Sequence, residues 1–139
     1  MATFTKFHSF TEALAEKVHN LGSDTLKIML TNSAPSAANT VKVDITEITP
    51  GNGYTAGGTA VTITASSQAA GVYKLVGNDV VFTPSGGNID TFRYAVLYND
   101  TASNDELIGY WDRGSSVSPA VGEPFTLDFD ASAGILTIT

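Results

Sequence analysis

The segment that decides the fold is residues 91–112, which read TFRYAVLYNDTASNDELIGYWD. Apolar and aromatic side chains dominate Thr91–Tyr98 and Leu107–Asp112, a composition that is typical of β-strands. The eight residues between these stretches, Asn99–Glu106, are polar or small and favour a loop. The sequence therefore predicts a long antiparallel hairpin in which the two apolar stretches pair.

A second strand pattern lies upstream, where the hydrophobic period becomes two from Asp24 onward. Leu26, Ile28 and Leu30 share one face of the predicted strand, and the residues between them share the other. We expect the core of the domain to begin here.

The remainder of the chain contains further short strand patterns separated by Gly, Pro, Ser and Asn. One predicted hairpin joins Val72–Val76 to Val80–Thr83 through residues 77–79. Residues 41–48 fit either a short strand or a single helical turn. With about seven to eight short strands and no alternation of strands with helices, we expect a mainly β fold, an antiparallel β-sandwich or jelly-roll-like domain.

The N-terminal region carries the one clear helical pattern. Ser9 and Glu12 have the spacing of a capping box, and Leu14 is followed by apolar residues four and seven positions later. This pattern predicts an amphipathic helix over residues 10–21. The predicted organisation is an N-terminal segment and helix over residues 1–23, followed by a β-sandwich domain over residues 24–139.

Charge and composition exclude several classes of protein. The 139 residues include 7 Lys and Arg against 14 Asp and Glu, giving a net charge of −7, which argues against binding nucleic acid through its phosphates. No apolar stretch approaches the length needed to cross a bilayer, so we expect no membrane partner. The N-terminus lacks the apolar stretch of a signal peptide, so we expect synthesis in the cytoplasm of the cell that makes the protein. The absence of cysteine excludes disulfides, thiolate nucleophiles and cysteine zinc sites.

No catalytic constellation is visible in the sequence. His8 and His19 are the two histidines, and neither lies in a motif that would give it a nucleophile or a metal. We therefore expect no enzymatic activity, no cofactor and no metal site. Oxygen ligands in Asn99–Glu106 could gather around Ca²⁺, but a solvated hairpin tip is the favoured interpretation.

The aromatic residues of the predicted hairpin have two possible uses. Packing in the core accounts for Phe92, Tyr94 and Trp111, whereas Tyr98 and Tyr110 lie beside the polar loop and are candidate partner-binding residues. Aromatic rings supply a large rigid contact area, so this group could also form a sugar-binding platform.

Several segments resemble a family of small virion proteins of tailed bacteriophages. They are residues 24–27 (DTLK), 31–35 (TNSAP), 51–58 (GNGYTAGG), 92–101 (FRYAVLYNDT) and 107–112 (LIGYWD). The resemblance spans nearly the whole chain and brings no catalytic motif with it. Members with a functional name tend to be head-decoration (cement) proteins, so the resemblance implies a protein that binds the major capsid protein on the capsid exterior and stabilises the shell. The alternative is a tail component, from the tail tube, tip or fibre, which could include a carbohydrate-binding module.

The sequence also predicts self-association, with a trimer preferred. A β domain of this size has edge strands that must be covered or blunted, and residues 135–139 are apolar on both faces. Burial by a second copy would explain this pattern.

The N-terminal segment is the candidate contact surface. Phe4 and Phe7 lie outside the predicted helix stripe, and exposed aromatic residues mark interaction sites. We expect these rings to dock on a capsid subunit or another copy, with Lys6 and Lys17 available for acidic groups. The alternative is that the segment folds back on its own sandwich.

Overall fold

The computed structural model describes residues 3–139, which form one α-helix, one short 3-10 turn and ten β-strands. The elements in chain order are β1 (Phe4–Lys6), α1 (His8–Ala15), β2 (Leu26–Thr31), the 3-10 turn (Lys42–Asp44), β3 (Thr59–Ala60), β4 (Ile63–Ala69), β5 (Val72–Gly77), β6 (Val80–Phe82), β7 (Phe92–Asn99), β8 (Leu107–Val117), β9 (Phe125–Leu127) and β10 (Leu136–Ile138). The expected mainly β fold with one short helix near the N-terminus is confirmed.

The strands form three antiparallel sheets. The largest has the order β1-β8-β7-β2-β3, the second has the order β10-β5-β4, and the third pairs β6 with β9. The predicted long hairpin is confirmed as β7 and β8, with Ala95 opposite Trp111 and Tyr98 opposite Leu107.

The five-stranded sheet is buried on both faces. Alternate residues of β2, Leu26, Ile28 and Leu30, lie in the main core with side chains from the two smaller sheets. Met29 points to the opposite face and is also fully buried. There it belongs to a smaller cluster with Phe7, Ile45, Val96, Tyr98 and Leu107.

The sheet begins at Phe4 rather than at Asp24, so the boundary predicted between residues 23 and 24 cuts through a single sheet. Strand β1 pairs with β8, placing Phe4 opposite Trp111 and Lys6 opposite Gly109. Gly109 makes this possible, because a Cβ at that position would collide with the Phe4 ring.

The helix is shorter than predicted and starts earlier. It runs from His8 to Ala15 with Phe7 at the N-cap, and no side chain caps its first turn. Lys17 has a φ of 68°, which a continuing α-helix cannot accommodate. The chain beyond it is irregular and buries His19 and Leu21.

The hairpin predicted around residues 77–79 is wrong. Strand β5 lies between β10 and β4, whereas β6 pairs with β9, so residues 77–79 carry the chain from one sheet to another. Within this crossing, the Asn78 N–H donates to the carbonyl of Thr62. Residues 41–48, which the sequence left open, contain a 3-10 turn at Lys42–Asp44.

The apolar C-terminal strand is covered by its own chain. Ile135 and Leu136 are 4% and 6% exposed in the main core, and β10 pairs with β5. Burial by a second copy is therefore not needed to explain the pattern of residues 135–139.

Candidate interaction site

Two of the five predicted contact residues are buried inside the protein. Phe7 has no exposed surface and Tyr98 is 1% exposed. Both belong to the smaller cluster, and the Phe7 ring lies 5.2 Å from the ring of Tyr110. As contact residues Phe7 and Tyr98 are wrong, because intramolecular packing already occupies their side chains.

The other three predicted contact residues lie on the paired strands β1 and β8, but Phe4 packs against the main core whereas Tyr110 packs against the smaller cluster on the opposite face. Phe4 and Tyr110 are partly buried, and the Phe4 ring packs 5.1 Å from Trp111. Lys6 is exposed, and its ammonium group donates to the Thr11 hydroxyl at 2.8 Å. The segment thus folds back on its own sheet, which was the alternative interpretation.

The first oxygen-bearing side chains of the β7–β8 loop are engaged by the protein itself. The Asn99 side-chain oxygen accepts the N–H groups of Thr101 and Ala102, and Asp100 forms a 3.3 Å ion pair with Lys27. Within residues 3–139, no group of three or more His, Cys, Asp or Glu side chains is placed to hold a metal ion.

His19 is buried beneath the same loop. Its Nδ1 atom lies 2.9 Å from the side-chain amide of Asn99, which also donates to Asp24 at 2.7 Å. Nδ1 is therefore the acceptor, and the imidazole is neutral with its proton on Nε2. Burial lowers the pKa of His19, although Glu106 and Asp24 oppose the shift. These hydrogen bonds connect the segment after α1, which contains His19 and Asp24, to Asn99 at the end of strand β7.

The glycine-rich segment 51–58 is held to the large sheet by a polar network. Glu47 accepts hydrogen bonds from the Tyr54 hydroxyl and from the Gly57 N–H. The Tyr98 hydroxyl donates to the Gly57 carbonyl. These bonds give the segment a structural role and account for the burial of both tyrosines.

A partly open cleft of about 430 Å³ lies beside β7, β8 and β9. Aromatic side chains from all three strands line it, namely Phe92, Trp111 and Phe125, and the Phe92 and Phe125 rings meet edge to face at 4.8 Å. Arg93 and Arg113 also line the cleft, and they are the two arginines of the chain. A protein of net charge −7 thus places both guanidinium groups in one aromatic cleft.

The two arginines differ in their pairing. Arg93 makes a two-pronged ion pair with Asp112, with N–O distances of 2.8 and 3.0 Å. This contact raises the pKa of Arg93 and lowers that of Asp112. Arg113 donates to the backbone and hydroxyl oxygens of Ser115 and forms no ion pair with the described part of the chain. Its charge is therefore available to a partner.

Sequence reasoning missed this cleft because one of its walls is β9, a strand of another sheet, and because strand β8 is irregular beside it. Tyr94 lies opposite Asp112, whereas Phe92 lies opposite Val117. Residues 113–116 therefore have no regular partners on β7 and form a bulge. Gly114, with a φ of 96°, allows the sharp change of direction. The available signal was that Arg93 lies in the first strand of the predicted hairpin and Arg113 directly follows the second.

No protein-family model, curated protein or solved structure matches this chain. In the described residues, no helix has the length and apolar character needed to cross a membrane.

Proposed function

We propose that the protein is a structural subunit of a tailed-bacteriophage virion, a head-decoration protein that binds the major capsid protein and stabilises the capsid shell. The sequence resemblance supports the phage assignment. The structural observation that carries the binding role is the cleft with its three aromatic rings and both arginines.

The chemistry of the cleft favours a protein segment with apolar and acidic side chains. Phe92 and Trp111 are 1% and 5% exposed, so the partly buried Phe125 ring supplies most of the apolar contact area among the three rings. The exposed Arg113 guanidinium, which shares the cleft with Asp128, suits a carboxylate. We therefore propose that an acidic segment of the major capsid protein docks here.

A sugar-binding fibre domain is less well supported. Trp111 is 5% exposed and is covered by Phe4 at 5.1 Å and Phe129 at 5.6 Å, so little of its face is free to stack on a sugar. A tail position remains the main rival to the head.

Quantitative mass spectrometry of purified virions tests the assignment to the head. A copy number comparable to that of the major capsid protein supports a decoration protein. A handful of copies per particle would transfer the protein to the tail, and complete absence from virions would refute a virion role.

Charge reversal tests the role of the cleft. We expect Arg113→Glu to reduce binding to capsids stripped of this protein by at least about tenfold, since a charged hydrogen bond would become a repulsion. Lys17→Glu makes the same change of charge at an exposed residue outside the cleft and should bind like the wild type. Equal binding by both variants would refute this docking site, and a loss confined to Lys17→Glu would favour the helix end.

A further inference from the structure

Strands β4 and β5 form a hairpin whose outer strand is exposed. Every residue of β4 from Thr64 to Ala69 is exposed to solvent. Ala70 and Gly71 connect the strands and have φ values of 52° and 84°, as in a two-residue turn of type I′. The outer strand is thus displayed in a regular conformation.

The outer edge of β4 carries unused backbone hydrogen-bonding groups. β4 is the last strand of the sheet β10-β5-β4, and Ala69 lies opposite Val72 next to the turn. In a two-residue hairpin this pair exchanges hydrogen bonds, so the N–H and C=O groups of Ser66 and Gln68 point away from β5. Outside the β4–β5 ladder, no hydrogen bond from residues 3–139 reaches the backbone groups of these two residues.

Charge does not protect this edge. Residues 48–73 contain no Asp, Glu, Lys or Arg, although the chain as a whole has a net charge of −7. Charged side chains, proline or bulges normally keep an edge strand from pairing with another chain. Strand β4 has one irregularity, between Ile63 and Ala65, at its beginning. Two copies of this acidic protein can approach here with little local repulsion.

We propose that two copies of the chain pair through β4, antiparallel and about a two-fold axis at Ser66. The two three-stranded sheets then become one six-stranded sheet. Ser66 lies opposite Ser66 of the second copy, and Gln68 lies opposite Thr64 of the second copy. The outward N–H and C=O groups of one edge then form hydrogen bonds with the outward C=O and N–H groups of the other.

An identical partner fits this edge better than a different protein. A two-fold axis makes the pattern self-complementary, because the same patch serves both copies. The paired side chains are small or uncharged, so neither copy buries a charge. A two-fold contact produces a dimer rather than the trimer expected from the sequence. Because one strand pair buries little area, the dimer should be weak and concentration-dependent.

Single cysteines test the register in a chain that has none of its own. Opposed residues that exchange backbone bonds have Cα atoms about 5.5 Å apart, which suits a disulfide. Under mild oxidation we expect Ser66→Cys to form a covalent dimer of twice the 14.5 kDa chain mass. Ser67→Cys is the matched control, because its Cα atoms would lie diagonally about 7–8 Å apart. Equal cross-linking of both variants, or of neither, would overturn the proposal.

Sedimentation of uncross-linked protein gives a second measurement. Ser66→Pro removes an N–H that points away from β5, so the hydrogen bonds between β4 and β5 are kept. The dimer loses two hydrogen bonds, one from each copy. We expect Ser66→Pro to stay monomeric at concentrations where wild type and Ser66→Ala dimerise, with unchanged circular dichroism. Dimerisation of Ser66→Pro equal to that of Ser66→Ala, or a wild type that is monomeric at about 1 mM, would refute the pairing.

Discussion

The Tyr54 hydroxyl donates a 2.6 Å hydrogen bond to the Glu47 carboxylate and accepts the backbone N–H of Leu30 at 3.0 Å. One phenol thus joins the segment before the glycine-rich loop to strand β2 of the large sheet. Burial, reinforced by the hydrogen bond to Glu47, raises the pKa of Tyr54, so the hydroxyl keeps its proton.

Removing this hydroxyl should destabilise the protein. Tyr54→Phe leaves the buried N–H of Leu30 without an acceptor and deprives Glu47 of a donor, so we expect a loss of about 1–3 kcal/mol in the free energy of unfolding. Tyr73→Phe is the control, because the Tyr73 hydroxyl meets Ser66 in an exposed pair and should change stability by less than about 0.5 kcal/mol. Urea denaturation measures both, and equal stability losses would contradict a special role for Tyr54.

Gly58 should tolerate no side chain. Its φ is +82°, and a Cβ there would collide with the carbonyl of Ile28 on β2. We expect Gly58→Ala to lower the free energy of unfolding by about 3 kcal/mol, since steric overlap adds to backbone strain. Gly122→Ala has a similar φ of +87° but open space around its Cβ, so it should lose about 1 kcal/mol. Thermal unfolding distinguishes these values, and equal melting temperatures for the two variants would contradict the prediction.

The N-terminal strand should be essential for folding rather than for docking alone. Phe7 has no exposed surface, and Phe7→Ala should lower the free energy of unfolding by about 3–5 kcal/mol. Lys6→Ala, at the adjacent exposed residue, should lose less than about 1 kcal/mol. Deletion of residues 1–7 should prevent folding, as judged by circular dichroism. A stable truncated domain would show that β1 is dispensable.

His19 should make the protein less stable as the pH falls. Its pKa is lower in the folded protein than in the unfolded chain, where it is about 6.5, so the unfolded chain binds the proton first. Protonation of Nδ1 would also oppose the Asn99 amide donor. Stability should therefore decline as the pH drops below about 7 and level off below the folded pKa.

Replacing each histidine isolates this effect. His19→Gln should remove the His19 part of the slope between about pH 7 and pH 5, whereas His8→Gln, at an exposed position, should retain it. Denaturant unfolding at a series of pH values measures the slopes. Identical pH profiles for His19→Gln and the wild type would show that His19 does not titrate on unfolding.

The parts of the fold that the sequence predicted are those in which the local pattern and burial agree. Leu26, Ile28 and Leu30 alternate as expected and fill one face of β2, and residues 91–112 form the β7–β8 hairpin. In both cases the apolar side chains that favour a strand are the side chains that the core needs.

The parts that were missed depend on tertiary contacts. The end of β4 reads ASSQA, which has low strand propensity and no apolar alternation, yet pairing with β5 holds it extended. The aromatic rings of Phe4 and Phe7 were assigned to a partner because the counterpart of β1 lies far along the chain on β8. The cleft was missed for a similar reason, since Phe125 of β9, which lines it together with Arg93 and Arg113, belongs to another sheet and lies outside the predicted hairpin.

The pairing of Phe4 with Trp111 also sets an order of events during synthesis. Strand β1 leaves the ribosome first but cannot pair until β8 has emerged, which at about 5–20 residues per second takes roughly 5–20 seconds. During that interval the rings of Phe4 and Phe7 lack the packing contacts that they make in the folded protein. Completion of the large sheet is therefore a late step of folding, and these two aromatic rings stay exposed while the chain is still attached to the ribosome.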